Sequence, residues 1–143
     1  MIDQLSVSLP NRPGSLAQMC RLLGEWGLQI HAFMVADTSD FSIVRIICDQ
    51  PRTACARLAE RGYAAITSRL AAVEVENVPG AFGALLERLA SYDLNVEYAY
   101  CCSLGSRVVD LIKVSGEPLA VKLAQTGLVF LDAAELYVPD EEE

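Results

Sequence analysis

Between Ile2 and Leu9 the chain alternates, with Leu5, Val7 and Leu9 on one face and Ser6 and Ser8 on the other, the period-two mark of a half-buried strand. Pro10 and Pro13 forbid its continuation. From Pro13 onward Leu16, Met19, Cys20, Leu23 and Trp26 recur at three and four, forming one stripe of an amphipathic helix. Gly24 and Gly27 end that helix near Trp26. Leu28 to Val35 predicts a second strand, with Ile30, Ala32 and Met34 on one face and His31, Phe33 and Val35 on the other. The polar turn from Asp37 to Asp40 leads into a third strand, Phe41 to Cys48, paired with the second as a hairpin. Pro51 opens a second helix carrying Cys55, Leu58 and Ala59 and closed by Gly62, and Tyr63 to Thr67 is a short fourth strand. The order β-α-β-β-α-β predicts an α+β fold. Its simplest packing is ferredoxin-like, with two helices on one face of an antiparallel four-stranded sheet.

The pattern then runs a second time. Asn11-Arg12-Pro13-Gly14-Ser15-Leu16 returns as Asn77-Val78-Pro79-Gly80-Ala81-Phe82, each stretch standing between a strand and a helix, with Pro expected at the first helical position. At the same offset Leu23 meets Leu89, Trp26 meets Tyr92 and Ile30 meets Val96. Past the second strand the letters match best one residue closer, Val44 with Val109, Ile47 with Ile112, Leu58 with Leu123 and Gly62 with Gly127. That predicts a one-residue deletion in the hairpin turn Ser103 to Ser106, where a deletion costs least. Two ferredoxin-like units follow, residues 1–68 and 69–143. Leu128 to Leu131 and Ala134 to Val138 close the second as one bent strand or two short ones. A lone unit of this size buries little surface, so the units are expected to lean on each other and on a second copy of the chain, as a homodimer.

Composition narrows the partners. The chain has 143 residues and a formal charge of −8. Some of that charge sits in the tail Asp140 to Glu143, expected to be a disordered, solubilising appendage of the second unit. Eleven scattered Lys and Arg against nineteen acids argue against nucleic-acid binding. No apolar run reaches the roughly 18 residues of a membrane span, and no basic leader precedes an apolar core, so no membrane partner is expected and a cytoplasmic location is. The five cysteines lack zinc-site spacing and are expected as reduced thiols packed like small hydrophobes. Cys101 and Cys102, adjacent on a strand, would point to opposite faces. No metal or other cofactor is expected. His31 is the one histidine, and neither a Gly-x-Ser-x-Gly elbow nor a phosphate loop accompanies it; catalytic residues are expected to be absent, and the protein is read as not an enzyme.

Two β-α-β-β-α-β units, each with Asn-x-Pro-Gly at the first strand-to-helix turn and Leu-Gln-Ile (Leu28 to Ile30) or Leu-Asn-Val (Leu94 to Val96) opening the second strand, resemble the ACT domain family. The resemblance covers essentially the whole chain, which looks like the small stand-alone double-ACT proteins of bacteria. It implies regulation: ACT domains bind an amino acid where two domains meet, and they control an enzyme or a transcription factor. An amino-acid ligand and an amino-acid-metabolism enzyme or regulator are therefore the expected partners. A ligand-free protein-interaction module, or a regulatory subunit of a separate enzyme, is the alternative. The serine-sensing members carry a His two residues before the Asn, where this chain has Leu9 and Val75, so a more apolar ligand side chain is implied.

The turn has chemistry of its own. Backbone amides of Gly14, Ser15 and Leu16 in a first helical turn lack intrahelical partners and face an anion favourably, while Asn11 and Asn77 offer a donor and an acceptor. The bland alternative is that each Asn caps its helix and each Pro-Gly makes a tight corner. The expected ligand-binding set is Asn11, Pro13, Gly14, Ser15, Leu16, Gln29, Ile30 and His31 in the first unit. In the second it is Asn77, Pro79, Gly80, Ala81, Phe82, Asn95 and Val96. Phe33, Tyr98 and Tyr100 are candidates for an apolar wall, with core packing the more ordinary role for aromatics at alternating strand positions. Arg12 and Ser15 favour the first copy for the polar end of an amino acid.

Overall fold

The computed structural model describes residues 1–142. Its elements are β1 (Ile2–Pro10), α1 (Ser15–Glu25), β2 (Ile30–Asp37), β3 (Phe41–Cys48), α2 (Pro51–Glu60), β4 (Ala64–Val75), α3 (Ala81–Ser91), β5 (Asn95–Leu104), β6 (Arg107–Ser115), α4 (Leu119–Gln125) and α5 (Ala133–Leu136). The predicted fourth strand of one unit and first strand of the next are one continuous strand, β4, because nothing between Thr67 and Leu70 breaks the extended pattern. The chain forms two compact units. The first is Asp3–Ser68 together with the chain from Ala133, and the second is Arg69–Asp132 with Met1–Ile2.

In the first unit β3 lies between β1 and β2, antiparallel to both, and β2 is the free edge. The alternation of β1 sends Leu5, Val7 and Leu9 into a core with Met19 and Leu23 of α1, Val44, Ile46 and Cys48 of β3, and Ala54 and Leu58 of α2. The opposite face of β1 is buried as well: Gln4 is 0% exposed and donates its amide to Ser6 Oγ at 3.1 Å. In the second unit β6 lies between β4 and β5, again antiparallel. Ala71, Val73, Leu85, Leu89, Leu94, Ile112, Val114 and Leu123 form its core. The strand expected at Leu128 to Leu131 is reduced to one antiparallel bridge, Phe130 with Val73, and a bond from Leu131 N–H to the Ala72 carbonyl.

The C-terminal segment departs most from expectation. Ala134 to Val138 is not a strand: α5 begins at Ala133, and the segment packs in the first unit rather than the second. Leu136 and Tyr137 are buried, and the Tyr137 hydroxyl accepts the Asp3 N–H at 2.9 Å. Val138 exchanges bonds with the loop after β3, its carbonyl accepting Gln50 N–H at 2.7 Å and its N–H donating to Asp49 Oδ1 at 2.8 Å. Asp140, expected in a disordered tail, accepts from the amides of Arg52 and Thr53 at 2.9 Å each and from Thr53 Oγ1 at 2.7 Å. It thereby caps α2, whose own N-cap residue, Gln50, makes no side-chain cap bond. The physical reason is the usual one for a carboxylate at a helix start: orphan amides and the positive end of the helix dipole. Glu143 lies outside the described residues.

Strand register corrects the repeat. Val7 pairs with Val44 in the first unit, and its counterpart Val73 pairs with Asp110 in the second. Likewise Asp37 pairs with Ser42 and Ser103 with Val108, so the two hairpins are equally long. Nothing is deleted from the Ser103 to Ser106 turn. The missing residue falls after the third strand, between Cys48 and Leu58 in the first unit and between Val114 and Leu123 in the second. Matching letters had paired Val44 with Val109; backbone pairing sets Asp110 at that core-facing position.

Candidate functional site

Both Asn-x-Pro-Gly stretches adopt one backbone form. Gly14 sits at φ 86°, ψ −14° and Gly80 at φ 85°, ψ −10°. Ser15 N–H donates to the Arg12 carbonyl and Ala81 N–H to the Val78 carbonyl, both at 3.3 Å. With Pro second and a left-handed glycine third, these are type II turns. Pro is therefore the corner of the turn rather than the first helical residue, and α1 and α3 begin at Ser15 and Ala81. Ser15 and Ala81 spend their amides inside the turn, which leaves the next amides, of Leu16 and Ala17 and of Phe82 and Gly83, directed out of the helix ends without i−4 partners.

The glycines are required by conformation. A Cβ built at either position meets nothing within 4 Å, whereas φ near +85° is costly for any residue with one. Gly14→Ala and Gly80→Ala are each expected to lower stability by about 1–2 kcal/mol, read from urea unfolding. A loss below a few tenths of a kcal/mol would show that the turn relaxes to another form.

Neither asparagine is the N-cap residue of its helix: those positions are Gly14 and Gly80. Asn11 instead ties the turn to the β2–β3 hairpin: its N–H donates to the Asp40 carbonyl at 2.9 Å and its Nδ2 to the Thr38 carbonyl at 3.2 Å.

Beside the first turn is a cavity of about 240 Å³ lined by Asn11, Arg12, Ser15 and Leu16 with Val35 and Val44 among its walls. A neighbouring cavity of about 330 Å³ shares Leu16 and Val44 and adds Cys20, Ile30, His31, Phe33 and Ile46. Ile30 and His31 line the same cavity although adjacent strand residues ordinarily face opposite ways. A bulge between Ile30 and Ala32 breaks the alternation there. After it Phe33 and Val35 pair across from Ile46 and Val44, on the helix side of the sheet.

His31 does not stand free in that cavity. Its Nε2 is 2.8 Å from Asp49 Oδ1, and Asp49 Oδ2 accepts Gln29 N–H at 3.2 Å. Burial would raise the Asp49 carboxyl, but the bonds from Val138, His31 and Gln29 outweigh it and hold the group below the usual carboxylate range. Gln29 thus belongs to the Asp49 cluster and lines neither cavity.

The second turn opens on a cavity of about 310 Å³ lined by Asn77, Val78, Ala81 and Phe82, with Val75, Glu76, Ala99, Tyr100, Cys101, Val108 and Asp110. Asn95 and Val96 are not part of it; Val96 packs against the core and Asn95 pairs with Ser115 at the sheet edge. Pro13, Gly14, Pro79 and Gly80 shape the turns without lining any of these cavities. Tyr98 is likewise outside the lining, whereas Tyr100 is in it. The two turns differ in charge: Arg12 stands at the first, Glu76 and Asp110 at the second.

Asp110 is the residue that the periodicity missed. It is 4% exposed, its Oδ2 has no hydrogen-bond partner among the described residues, and burial raises its carboxyl above the ordinary range. The available signal was an Asp inside the apolar run Val108 to Ile112.

All five cysteines are free thiols, but not all are packed as expected: Cys48 is buried, and its thiol is pushed up to about 12 by burial and by the charges of Asp49 and Asp140, while Cys101 is exposed. Among the described residues there is no group of three or more His, Cys, Asp or Glu that could hold a metal ion, and no helix long and apolar enough to cross a membrane.

Comparison with known proteins places this geometry. The chain is similar to protein BT0572 from Bacteroides thetaiotaomicron, at 26% identity and TM-score 0.85 over 94% of each chain. The regulatory subunit of aspartate kinase from Thermus thermophilus, in its ligand-free form, shares the fold at 18% identity and TM-score 0.61, over 87% of this chain and 91% of that one. The corresponding regulatory subunit from Thermus flavus does so at 18% identity and TM-score 0.54, over 87% and 90%. No curated protein matches the chain in sequence. The family described as the ACT domain pair matches residues 1–129, and with two β-α-β-β-α-β units each opening on the same turn, the chain belongs to that family.

Proposed function

We propose that the protein is a regulatory rather than catalytic protein of the cytoplasm that binds an amino acid at the first strand-to-helix turn. The observation that carries this reading is the grouping of Leu16, at the open start of α1, with Arg12, Ser15 and Asn11 around one cavity. A carboxylate there meets backbone donors and a positive side chain, and Leu16, Val35 and Val44 offer an apolar wall to the ligand's side chain. Membership of the ACT domain pair family and the fold shared with regulatory subunits of aspartate kinase support a ligand-binding regulatory role.

The site is completed by a second copy of the chain in this reading. Phe33 is 64% exposed, with Val35 exposed beside it on the helix side of β2, and Phe41 and Ile43 of β3 are exposed on the opposite face of the sheet. Since β2 is a free edge with unpaired backbone groups, another copy would cover both the edge and the apolar side chains.

A thermal-shift screen of the twenty amino acids tests the proposal. A ligand at about 100 times its dissociation constant adds about 2.7 kcal/mol to the folded state. Asn11→Ala, which removes the Nδ2 bond to Thr38 and keeps the backbone bond to Asp40, is expected to weaken binding about tenfold with the fold retained. No shift with any amino acid would favour a ligand-free interaction module instead, the second reading that the exposed apolar edge supports. A strict monomer by light scattering would remove the second copy from the site.

A further inference from the structure

The cavity under the second turn carries a feature absent from the first. Register sets Asp110 where the first unit has Val44, on the core-facing side of the central strand. Asp110 is 4% exposed, lines the 310 Å³ cavity, and holds one carboxylate oxygen without a partner among the described residues. A buried acceptor left unpaired is costly, and a charged one more so. The cavity lining offers no cation: Val73 and Cys101 are the residues directly across on β4 and β5, and the cavity's other ionisable side chains are Glu76, Tyr100 and Cys101. The remaining wall is apolar, formed by Val75, Val78, Phe82, Ala99 and Val108.

We infer that this cavity is a second ligand site, selective for a small organic ammonium compound whose protonated nitrogen pairs with Asp110 and whose carbon chain packs on the apolar wall. Such a group supplies the missing donor and neutralises the carboxylate in one contact. A carboxylate ligand would meet Glu76 and Asp110 as like charges. An inorganic cation is a poorer fit, because among the described residues no group of three or more His, Cys, Asp or Glu is arranged to hold one. The site is independent of the first turn, where Arg12 sets the opposite preference, so the two can succeed or fail separately.

The test is a titration of the full-length chain with n-butylammonium chloride, followed by amide resonances, against 1-butanol and sodium butyrate at matched ionic strength. Saturable shifts at Ala99, Tyr100, Val108 and Asp110 are expected with butylammonium, with butanol and butyrate weaker by more than about tenfold. Asp110→Asn should weaken butylammonium by more than about tenfold, and Asp110→Val should abolish its binding while the thermal midpoint does not fall. Asn11→Ala should leave it unchanged, whatever that variant does to amino-acid binding. Equal response to butanol, binding retained in Asp110→Asn, or no saturable shift with butylammonium would each overturn the assignment. Retention in Asp110→Asn together with loss in Asn11→Ala would place amine binding at the first turn instead.

Discussion

Ending the chain after Asp132 is expected to destabilise the first unit by about 5 kcal/mol. Two buried side chains go, Leu136 and Tyr137, worth roughly 1.5–3 kcal/mol each. So does the Asp140 cap on α2, in the range of about 0.5–2 kcal/mol for a helix cap. The Val138 bonds to Asp49 and Gln50 add roughly 1 kcal/mol each, and the conformational-entropy cost of ordering the segment, removed along with it, offsets part of the total. Against a domain stability of about 5–15 kcal/mol, that is enough to leave the unit marginal. Trp26, the single tryptophan, packs against the first core, so its fluorescence in a urea titration reports this unit. An unchanged midpoint in the truncated chain would show that the segment is an ornament. The effect also has a pH signature. Asp140 is raised by burial but brought below the usual range by its bonds to Thr53 and Arg52 and by the Arg52 charge, and Asp49 is lowered similarly. Groups with depressed folded pKa contribute fully above the unfolded value, about pH 4, and lose their contribution as pH falls through the folded value. The full-length and truncated chains should therefore converge in acid.

Asp110→Val is expected to act in the opposite direction, stabilising the unliganded second unit by about 1–3 kcal/mol. It removes a buried carboxylate with one unpaired oxygen and installs the residue that the first unit already carries at the same register position. The sign of its pH dependence is reversed relative to the tail. Burial raises the folded pKa of Asp110, so the wild-type protein binds this proton more readily when folded. Its destabilising contribution is absent below the unfolded value, about pH 4, and grows as pH rises through the folded value. The gain from Asp110→Val should thus be largest near neutrality and shrink towards about pH 4. Unfolding followed by circular dichroism at both ends of that window checks it. A variant less stable than wild type at neutral pH would mean that Asp110 has a structural partner after all.

Both of these predictions rest on features hidden in the sequence, although much of the fold was legible there. Element order was open to reading because Leu5, Val7 and Leu9, and then Leu16 to Trp26, carry periods of two and near four that only a strand and a helix satisfy. The strand-to-helix corners beside which the cavities lie were readable too, since Asn-x-Pro-Gly occurs twice. What periodicity cannot carry is information held between strands. The bulge at His31 turns Phe33 and Val35 to the helix side, and it depends on how β2 pairs with β3. Asp110 was hidden by the same limit: its apolar neighbours Val109 and Leu111 are themselves buried, so the run reads as core on both faces and letters alone slip by one residue. The C-terminal segment was unreadable for another reason. Its partners, Asp3, Asp49, Gln50 and Arg52 to Thr53, are distant in sequence, and an acidic stretch after a proline has the composition of a solvated tail.

The capping of α2 by Asp140 has a consequence for how the protein is made. The Tyr137 to Asp3 bond spans 134 positions and the Asp140 bonds span 87 and 88, so the unit that leaves the ribosome first acquires its closing contacts after the second unit has been synthesised. The chain from Arg69 to Asp132 is complete before that point. Folding by synthesis order would therefore finish the later unit first, with the earlier one waiting, α2 uncapped, for residues that close it from the far end of the chain.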